Sequence, residues 1–338
     1  MFQRRCQMLR NVLTCTILDD YQNKAVNLAN WSSLNPHVKI RSLTQRIPIE
    51  GSLVEAVKDD DILVIMRERT LFDASLLSKL PNLKLLVTSG MRNAAIDLDY
   101  ANNHGITVCG TNSLSEPAIE HTWALILGIA RHVAQENQAL RSNGPWQSTI
   151  GVGLSGKQLG VIGLGKIGGQ VAKIGQAFGM KVVAWSPNLT KAQADAQGVT
   201  LAPSKDALLE SSDFITIHLV LGDRSRNLIA GDDFKKMRPS AYLINTARAP
   251  IVNELDLIRA LQDNRIAGAA LDVFNVEPLP FNHPFRTLPN VLTTPHLGYV
   301  TEENYRVYFG EAVENIHAFI NNSPIRLLTQ KIEPGLTL

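Results

Sequence analysis

The run Leu159-Gly160-Val161-Ile162-Gly163-Leu164-Gly165-Lys166-Ile167-Gly168-Gly169 constrains this chain more than any other segment. Three glycines spaced G-x-G-x-x-G directly follow an apolar, β-rich stretch and directly precede a helical pattern. Gly163 permits a tight turn, Gly165 lets a diphosphate approach the backbone, and Gly168 lets the helix pack closely on the strand. The helix start at Lys166 and Ile167 then offers free N–H groups and the positive end of its dipole to an anion. Alone the spacing would suit an ordinary turn; between a strand and a helix, with a second strand following, it predicts a dinucleotide site. Two G-x-x-x-x-G-K matches, 151–157 and 160–166, continue into Gln158 and Ile167 rather than the Ser or Thr that would hold magnesium, which excludes a nucleotide triphosphatase.

The glycine turn sits in the second of two alternations of β-rich and helical segments. Runs at 13–18, 38–43, 62–66, 83–88 and 106–110 predict one parallel sheet covered by helices. Runs at 158–162, 181–185, 214–218, 241–245, 268–272 and 291–294 predict six strands of a second, doubly wound sheet. The chain is therefore expected to be α/β with two parallel-sheet domains, as 338 residues at roughly 150 per domain also suggest. Between the two series the sequence predicts one helix over 116–142, with Ser115 as N-cap and Pro117 in its first turn, ending near Asn143-Gly144-Pro145. Its apolar residues nearly encircle it, so more than one neighbour should bury it, a second subunit among the possibilities. A last helix is expected over 301–321.

About 18 residues beyond Gly168, where an NAD site usually offers Asp or Glu to the ribose 2′-hydroxyl, stands Ser186 in Trp185-Ser186-Pro187-Asn188. Ser186 removes the charge that would repel a 2′-phosphate, yet no Arg follows to attract one, and Lys191 is the nearest cation. The choice between NAD and NADP stays open, and Ser186 also reads as a plain turn residue.

Three ionisable residues follow strand ends in the second half: Arg248 in Ile244-Asn245-Thr246-Ala247-Arg248, Glu277 after Asp272-Val273-Phe274-Asn275-Val276, and His296 in Thr294-Pro295-His296-Leu297-Gly298. Singly they read as a solvated charge, a helix-start acid and a loop histidine. Together, ligands of open α/β sheets bind beyond the carboxyl ends of strands, so three such loops deliver all three to one crevice. A guanidinium binds a planar carboxylate through two parallel bonds, as lysine cannot. A histidine titrates near neutrality, and a carboxylate beside it favours the imidazolium.

In segments 161–168, 244–248, 271–278 and 294–298, together with Glu120-His121-Thr122, the chain resembles the D-isomer-specific 2-hydroxyacid dehydrogenase family, of the phosphoglycerate dehydrogenase and glyoxylate or hydroxypyruvate reductase type. The similarity covers about residues 14–321. It implies a flavodoxin-like substrate domain, 1–111 plus 322–338, and a Rossmann NAD(P)-binding domain, 112–321, with bridging helices and a crevice that closes on its ligands. It implies hydride transfer between NAD or NADP and a small 2-oxo or 2-hydroxy acid. Arg248 then binds the carboxylate and polarises the carbonyl, and His296 paired with Glu277 is the acid–base group. The cofactor is held by Gly163, Gly165, Lys166, Ile167, Gly168 and Ser186, with Thr246 along it and Asp272 on its nicotinamide side. Ser89, Gly90 and Met91, in Val87-Thr88-Ser89-Gly90-Met91-Arg92-Asn93, match the family's substrate loop, and Arg67 faces the same cleft unless it is simply solvated. A homodimer is implied as well.

Two features depart from the family: Val220 replaces the usual proline after His218, and 110–117 is compressed at the hinge. Nothing beyond Asn321 has the length of the regulatory domain that some phosphoglycerate dehydrogenases carry. A dinucleotide-sensing or corepressor-like module on the same fold is the rival reading, disfavoured by the retained Arg248, Glu277 and His296.

Composition narrows the partners. A net charge of +2, spread along the chain, leaves no footprint for nucleic acid or an anionic membrane. Three cysteines, Cys6, Cys15 and Cys109, form no metal-binding or disulfide pattern, which fits a reducing, cytoplasmic setting and no metal. Residues 1–13 lack the apolar core of a secretory signal, and Met8 is an alternative start to Met1.

Overall fold

The computed structural model describes residues 12–328; the alternative starts Met1 and Met8, Cys6 and the tail with Pro334 lie outside them. The chain divides into two units, one running to Leu114 and resuming at Thr301, the other Ser115–Val300.

In the first unit, strands β1 (Leu13–Ile17), β2 (Val38–Ser42), β3 (Ile62–Ile65), β4 (Leu85–Thr88) and β5 (Thr107–Cys109) form a parallel sheet in the order β2-β1-β3-β4-β5. This is the flavodoxin-like order. The runs Ile-Leu-Val-Ile of β3 and Leu-Leu-Val of β4, closed by Thr88, are buried throughout, as strands covered on both faces must be. The sequence predicts that helix 301–321 belongs to the cofactor domain; the structure corrects this. The helix Glu302–Ile320, N-capped by Thr301, turns a stripe of Tyr305, Tyr308, Phe309, Ala312 and Ile316 into the first unit. There the Tyr308 hydroxyl lies 2.9 Å from Ser113 Oγ, Asn315 Nδ2 donates to the Gly110 carbonyl at 2.8 Å, and Phe309 packs on Trp31. Apolar surface far away in sequence decides its partner.

In the second unit, β6 (Gln158–Ile162), β7 (Lys181–Trp185), β8 (Thr200–Leu201), β9 (Phe214–Ile217), β10 (Tyr242–Asn245), β11 (Gly268–Leu271) and β12 (Val291–Thr293) form a parallel sheet in the order β12-β11-β10-β9-β6-β7-β8. The predicted six strands are joined by β8. Alternate residues feed two cores: Ile162, Ile215, Ile217, Leu243 and Leu271 on one face, Leu159, Val161, Phe214, Ile244 and Ala270 on the other. The chain runs outward from β6 to β8 and returns to β9 on the other side of β6, so the order reverses between β6 and β9.

The single helix predicted over 116–142 is two. Glu116–Ala130 is buried against β10, β11 and β12 and against the helix Lys166–Ala177, whereas Val133–Arg141 has no buried residue. The break falls where the apolar ring ends: His132 takes a left-handed φ of 51°, and the freed Ala130 carbonyl accepts from Val152 N at 2.7 Å. Ser115 makes no side-chain cap; the Glu116 carboxylate takes its N–H instead. Among the described residues no helix is long and apolar enough to cross a membrane.

Candidate active site

The glycine turn joins β6 to the helix Lys166–Ala177 at the point where strand order reverses. Gly163 has φ +99°, and a Cβ there would stand 2.7 Å from the His218 carbonyl oxygen; a Cβ at Gly168 would stand 2.0 Å from the Gly163 carbonyl oxygen. Those two glycines are required by the protein itself. At Gly165 an added Cβ meets nothing within 4 Å. No side chain caps the helix there. A turn that keeps a glycine where its own packing does not need one, below an uncapped helix start, fits a closely approaching diphosphate. Burial pushes His218, next to this turn, down to about 4, so it is neutral near pH 7. Lys166 is exposed and Ile167 half-buried at the helix start; Ser186 is half-buried at the end of β7, and Lys191 is tied to Asp195 at 2.6 Å.

The carboxyl edges of the adjacent strands β10, β11 and β12 carry the ionisable loops. After β10, buried Asn245 holds the turn: its Oδ1 accepts from Ala247 N at 3.0 Å and its Nδ2 donates to the Arg248 carbonyl at 3.1 Å. Arg248 is half-buried, and its Nη1 donates to the Ala247 carbonyl. After β11, Glu277 Oε1 accepts from Phe274 N at 2.9 Å and Oε2 lies 2.7 Å from His296 Nδ1. A carboxylate only accepts, so Nδ1 carries the shared proton and Nε2 is left to give or take one. Among the described residues Nε2 has no hydrogen-bond partner, and the ring stands edge-on to Tyr299. His296 sits at φ +55°, a left-handed conformation that costs a residue of its kind roughly 1–3 kcal/mol and persists only when its surroundings hold it.

Those surroundings centre on Asp272. Its side chain is 1% exposed; Oδ1 accepts from Thr294 Oγ1 (2.6 Å), Leu297 N (2.7 Å) and His121 Nε2 (3.1 Å), and Oδ2 from Gly298 N (2.8 Å). Burial alone would push its pKa up, but the bonds from His121, Thr294 and the Leu297 amide outweigh it and hold the carboxyl below the usual carboxylate range. Both oxygens of this residue, which the sequence predicts on the nicotinamide side, are engaged by the loop that carries His296.

Residues 123–298 match the family described as D-isomer specific 2-hydroxyacid dehydrogenase, NAD binding domain. The chain belongs to that family. It is 35% identical to a glyoxylate reductase of Aeropyrum pernix over 88% of this chain and 92% of that protein. With a D-3-phosphoglycerate dehydrogenase of Methanocaldococcus jannaschii it shares 38% identity, over 74% of this chain but 48% of the longer relative. A phosphoglycerate oxidoreductase from Vibrio cholerae superposes with a TM-score of 0.88 at 34% identity, covering 92% of this chain and all of that one. As a member of this family the protein is an NAD(P)-dependent oxidoreductase acting on CH–OH groups, with small 2-hydroxy or 2-oxo acids as the family's substrates. Among the described residues of this dehydrogenase no three His, Cys, Asp or Glu side chains gather to hold a metal ion.

In the first unit of the dehydrogenase, the predicted substrate residues come together at the ends of β3 and β4. Arg67, at φ +48°, donates its backbone N–H to Ser89 Oγ at 2.9 Å, and a Cβ on Gly90 (φ +87°) would stand 3.0 Å from Arg67 Nη1. Met91 is exposed, with its Sδ 2.9 Å from the position of a Cβ on Gly110. Buried Asn93 secures the loop by donating to the Arg67 carbonyl and to Thr88 Oγ1, and Thr111 Oγ1 accepts from Gly90 N. Asn93, Thr111, Asn245, Thr294 and the role of His121 escape sequence reasoning. For Asn245 and Thr111 the signal is a polar side chain at or just beyond the end of a buried strand; Asn93, Thr294 and His121 offer no such pattern.

Proposed function

We propose that this dehydrogenase reduces a small 2-oxo acid to the D-2-hydroxy acid, with Arg248 binding the carboxylate and His296, paired with Glu277, supplying the proton. The observation that carries this reading is the 2.7 Å contact between His296 Nδ1 and Glu277 Oε2, which orients the ring and leaves Nε2 for the substrate oxygen. When bound, the reduced nicotinamide supplies the hydride that adds to C2. Arg248, always charged, fixes the plane of the substrate by a two-pronged bond to its carboxylate and draws charge toward the carbonyl oxygen. His296 Nε2 delivers its proton to that oxygen as negative charge develops there, while the Glu277 carboxylate, 2.7 Å from Nδ1, holds the ring in place from the other side. In the oxidative direction His296 Nε2 takes the hydroxyl proton.

Gly163, Gly165, Gly168 and the N–H groups at Lys166 and Ile167 are proposed to hold the diphosphate, Ser186 the adenine-side ribose, and Thr246 to line the cofactor. With neither a carboxylate nor a free cation at Ser186, both NADH and NADPH are expected to serve. Arg67 and the Ser89–Gly90–Met91 loop are proposed to contact substrate; the glyoxylate reductase and phosphoglycerate dehydrogenase relatives suggest acids of that size and charge. A homodimer is proposed through the arm beyond the helix break, where Trp146 is 80% and Ile150 94% exposed beside exposed Val133 and Leu140. Cys15 and Cys109 are buried free thiols, in keeping with the proposed cytoplasmic location.

The test is purified protein with NADH or NADPH and a panel of 2-oxo acids, followed at the nicotinamide absorbance. Turnover of at least one acid, and oxidation of only its D-hydroxy product, is expected. Tight dinucleotide binding with no turnover across the panel would overturn the reading in favour of a sensor.

A further inference from the structure

The helix Glu116–Ala130 packs across β10, β11 and β12, the three strands whose ends carry the chemistry. Consecutive residues on a helix point about 100° apart, so two neighbours on one turn can reach two different loops. His121 and Thr122 do this. His121 Nε2 lies 3.1 Å from Asp272 Oδ1 and 2.9 Å from Thr294 Oγ1. Fully buried Thr122 lies 2.8 Å, oxygen to oxygen, from Thr246, two residues before Arg248.

Proton bookkeeping fixes the direction of each bond. Thr294 gives its one proton to Asp272 Oδ1 at 2.6 Å, so toward His121 it accepts, as the carboxylate must. Nε2 of His121 therefore carries a hydrogen shared between two acceptors. Thr122 gives its proton to the Ala118 carbonyl at 2.7 Å, so toward Thr246 it accepts, and the Thr246 hydroxyl is aimed at the helix. The Asp272 carboxylate held by His121 binds the N–H groups of Leu297 and Gly298, the two residues that follow His296 in its left-handed conformation.

We propose that His121 and Thr122 are positioning residues for the two halves of the catalytic apparatus: His121, through Asp272 and Thr294, sets the His296 loop, and Thr122, through Thr246, sets the Arg248 loop. The proposal rests on the roles given above to His296 and Arg248. Its signature is a division of kinetic effects, because one loop moves the proton and the other holds the substrate.

The experiment compares His121→Ala, His121→Gln and Thr122→Val with wild type. Displacing the acid by a fraction of an ångström should cost His121→Ala roughly 10- to 100-fold in kcat, with KM for the oxo acid within about 3-fold. His121→Gln, whose amide donates from nearly the position of Nε2, should restore kcat to within about 5-fold of wild type. Thr122→Val should raise KM about 10-fold and leave kcat within about 3-fold. If His121→Ala does not fold, His121→Asn, too short to reach Asp272, replaces it. Amide hydrogen exchange at Leu297 and Gly298 gives a readout independent of turnover: protection should fall in His121→Ala and persist in Thr122→Val and His121→Gln. Identical kinetic patterns in the two positions, or unchanged protection at 297 and 298 in His121→Ala, would overturn the proposal. A wild type that turns over no oxo acid would instead refute the proposed activity, and the exchange comparison would still decide the bracing of the loop.

Discussion

Replacing Gly165 and Gly168 separately by alanine should split the needs of the protein from those of its ligand. At Gly168 the new methyl would sit 2.0 Å from the Gly163 carbonyl oxygen, where real contacts essentially never fall below 3.0 Å, so helix and turn must part by about 1 Å. Overpacking of that kind costs roughly 1–3 kcal/mol, of which alanine's better helix propensity returns up to about 1 kcal/mol. The net of roughly 0–3 kcal/mol, at about 2–4 °C per kcal/mol for a unit of this size, lowers Tm by up to roughly 12 °C. At Gly165 the methyl meets no protein atom within 4 Å, and only a weaker N-cap, worth up to about 1 kcal/mol, is lost. It does occupy the space proposed for the diphosphate. Losing one charge-assisted bond of about 1.5–3 kcal/mol weakens binding roughly 10- to 150-fold. Thermal denaturation and quenching of reduced-nicotinamide fluorescence read the two effects. Gly168→Ala should lose stability and affinity together, whereas Gly165→Ala should lose affinity with a Tm drop of no more than about 4 °C. Wild-type affinity in Gly165→Ala would refute the assignment of the turn to a dinucleotide.

Two further outcomes follow from the same geometry. In Asp272→Asn an amide NH2 must face either the Gly298 N–H or the three donors at Oδ1, so the variant should lose about 1–3 kcal/mol at pH 7 by thermal denaturation. Because the native carboxyl is held below its unfolded value near 3.9, that difference should be full above about pH 4 and shrink as pH falls through the native value; a gap independent of pH would contradict the account. Ser186→Asp supplies the missing ribose acceptor and repels a 2′-phosphate, so the ratio of kcat/KM for NADH over NADPH should rise about 10-fold or more, measured with either cofactor at fixed oxo acid.

Much of this was legible in the sequence because its signals are local. The glycine spacing sits between its own strand and helix, and Arg248, Glu277 and His296 each follow the end of a predicted strand; that these three strands, β10, β11 and β12, are neighbours is shown only by the structure. What escaped is non-local or too short to have a pattern. Strand β8 is two residues, Thr200 and Leu201, defined by pairing with β7. The break at His132 lies among residues that tolerate a helix and forms because the apolar ring ends there and Val152 takes the freed carbonyl. The last helix joins the first unit through Ser113, Gly110 and Trp31, more than 190 residues away. The grip of His121 on Asp272 spans 151 residues, and nothing at either position alone announces it.

The claim on which the rest depends is that His296, held by Glu277, moves the proton that accompanies hydride transfer. Its most direct test is turnover of His296→Ala at saturating cofactor and oxo acid, with dinucleotide affinity measured on the same sample. A general acid contributes typically ~10²–10⁴-fold, so kcat should fall by that factor while the dinucleotide Kd stays within about 3-fold of wild type. A variant that turns over at the wild-type rate would contradict the account.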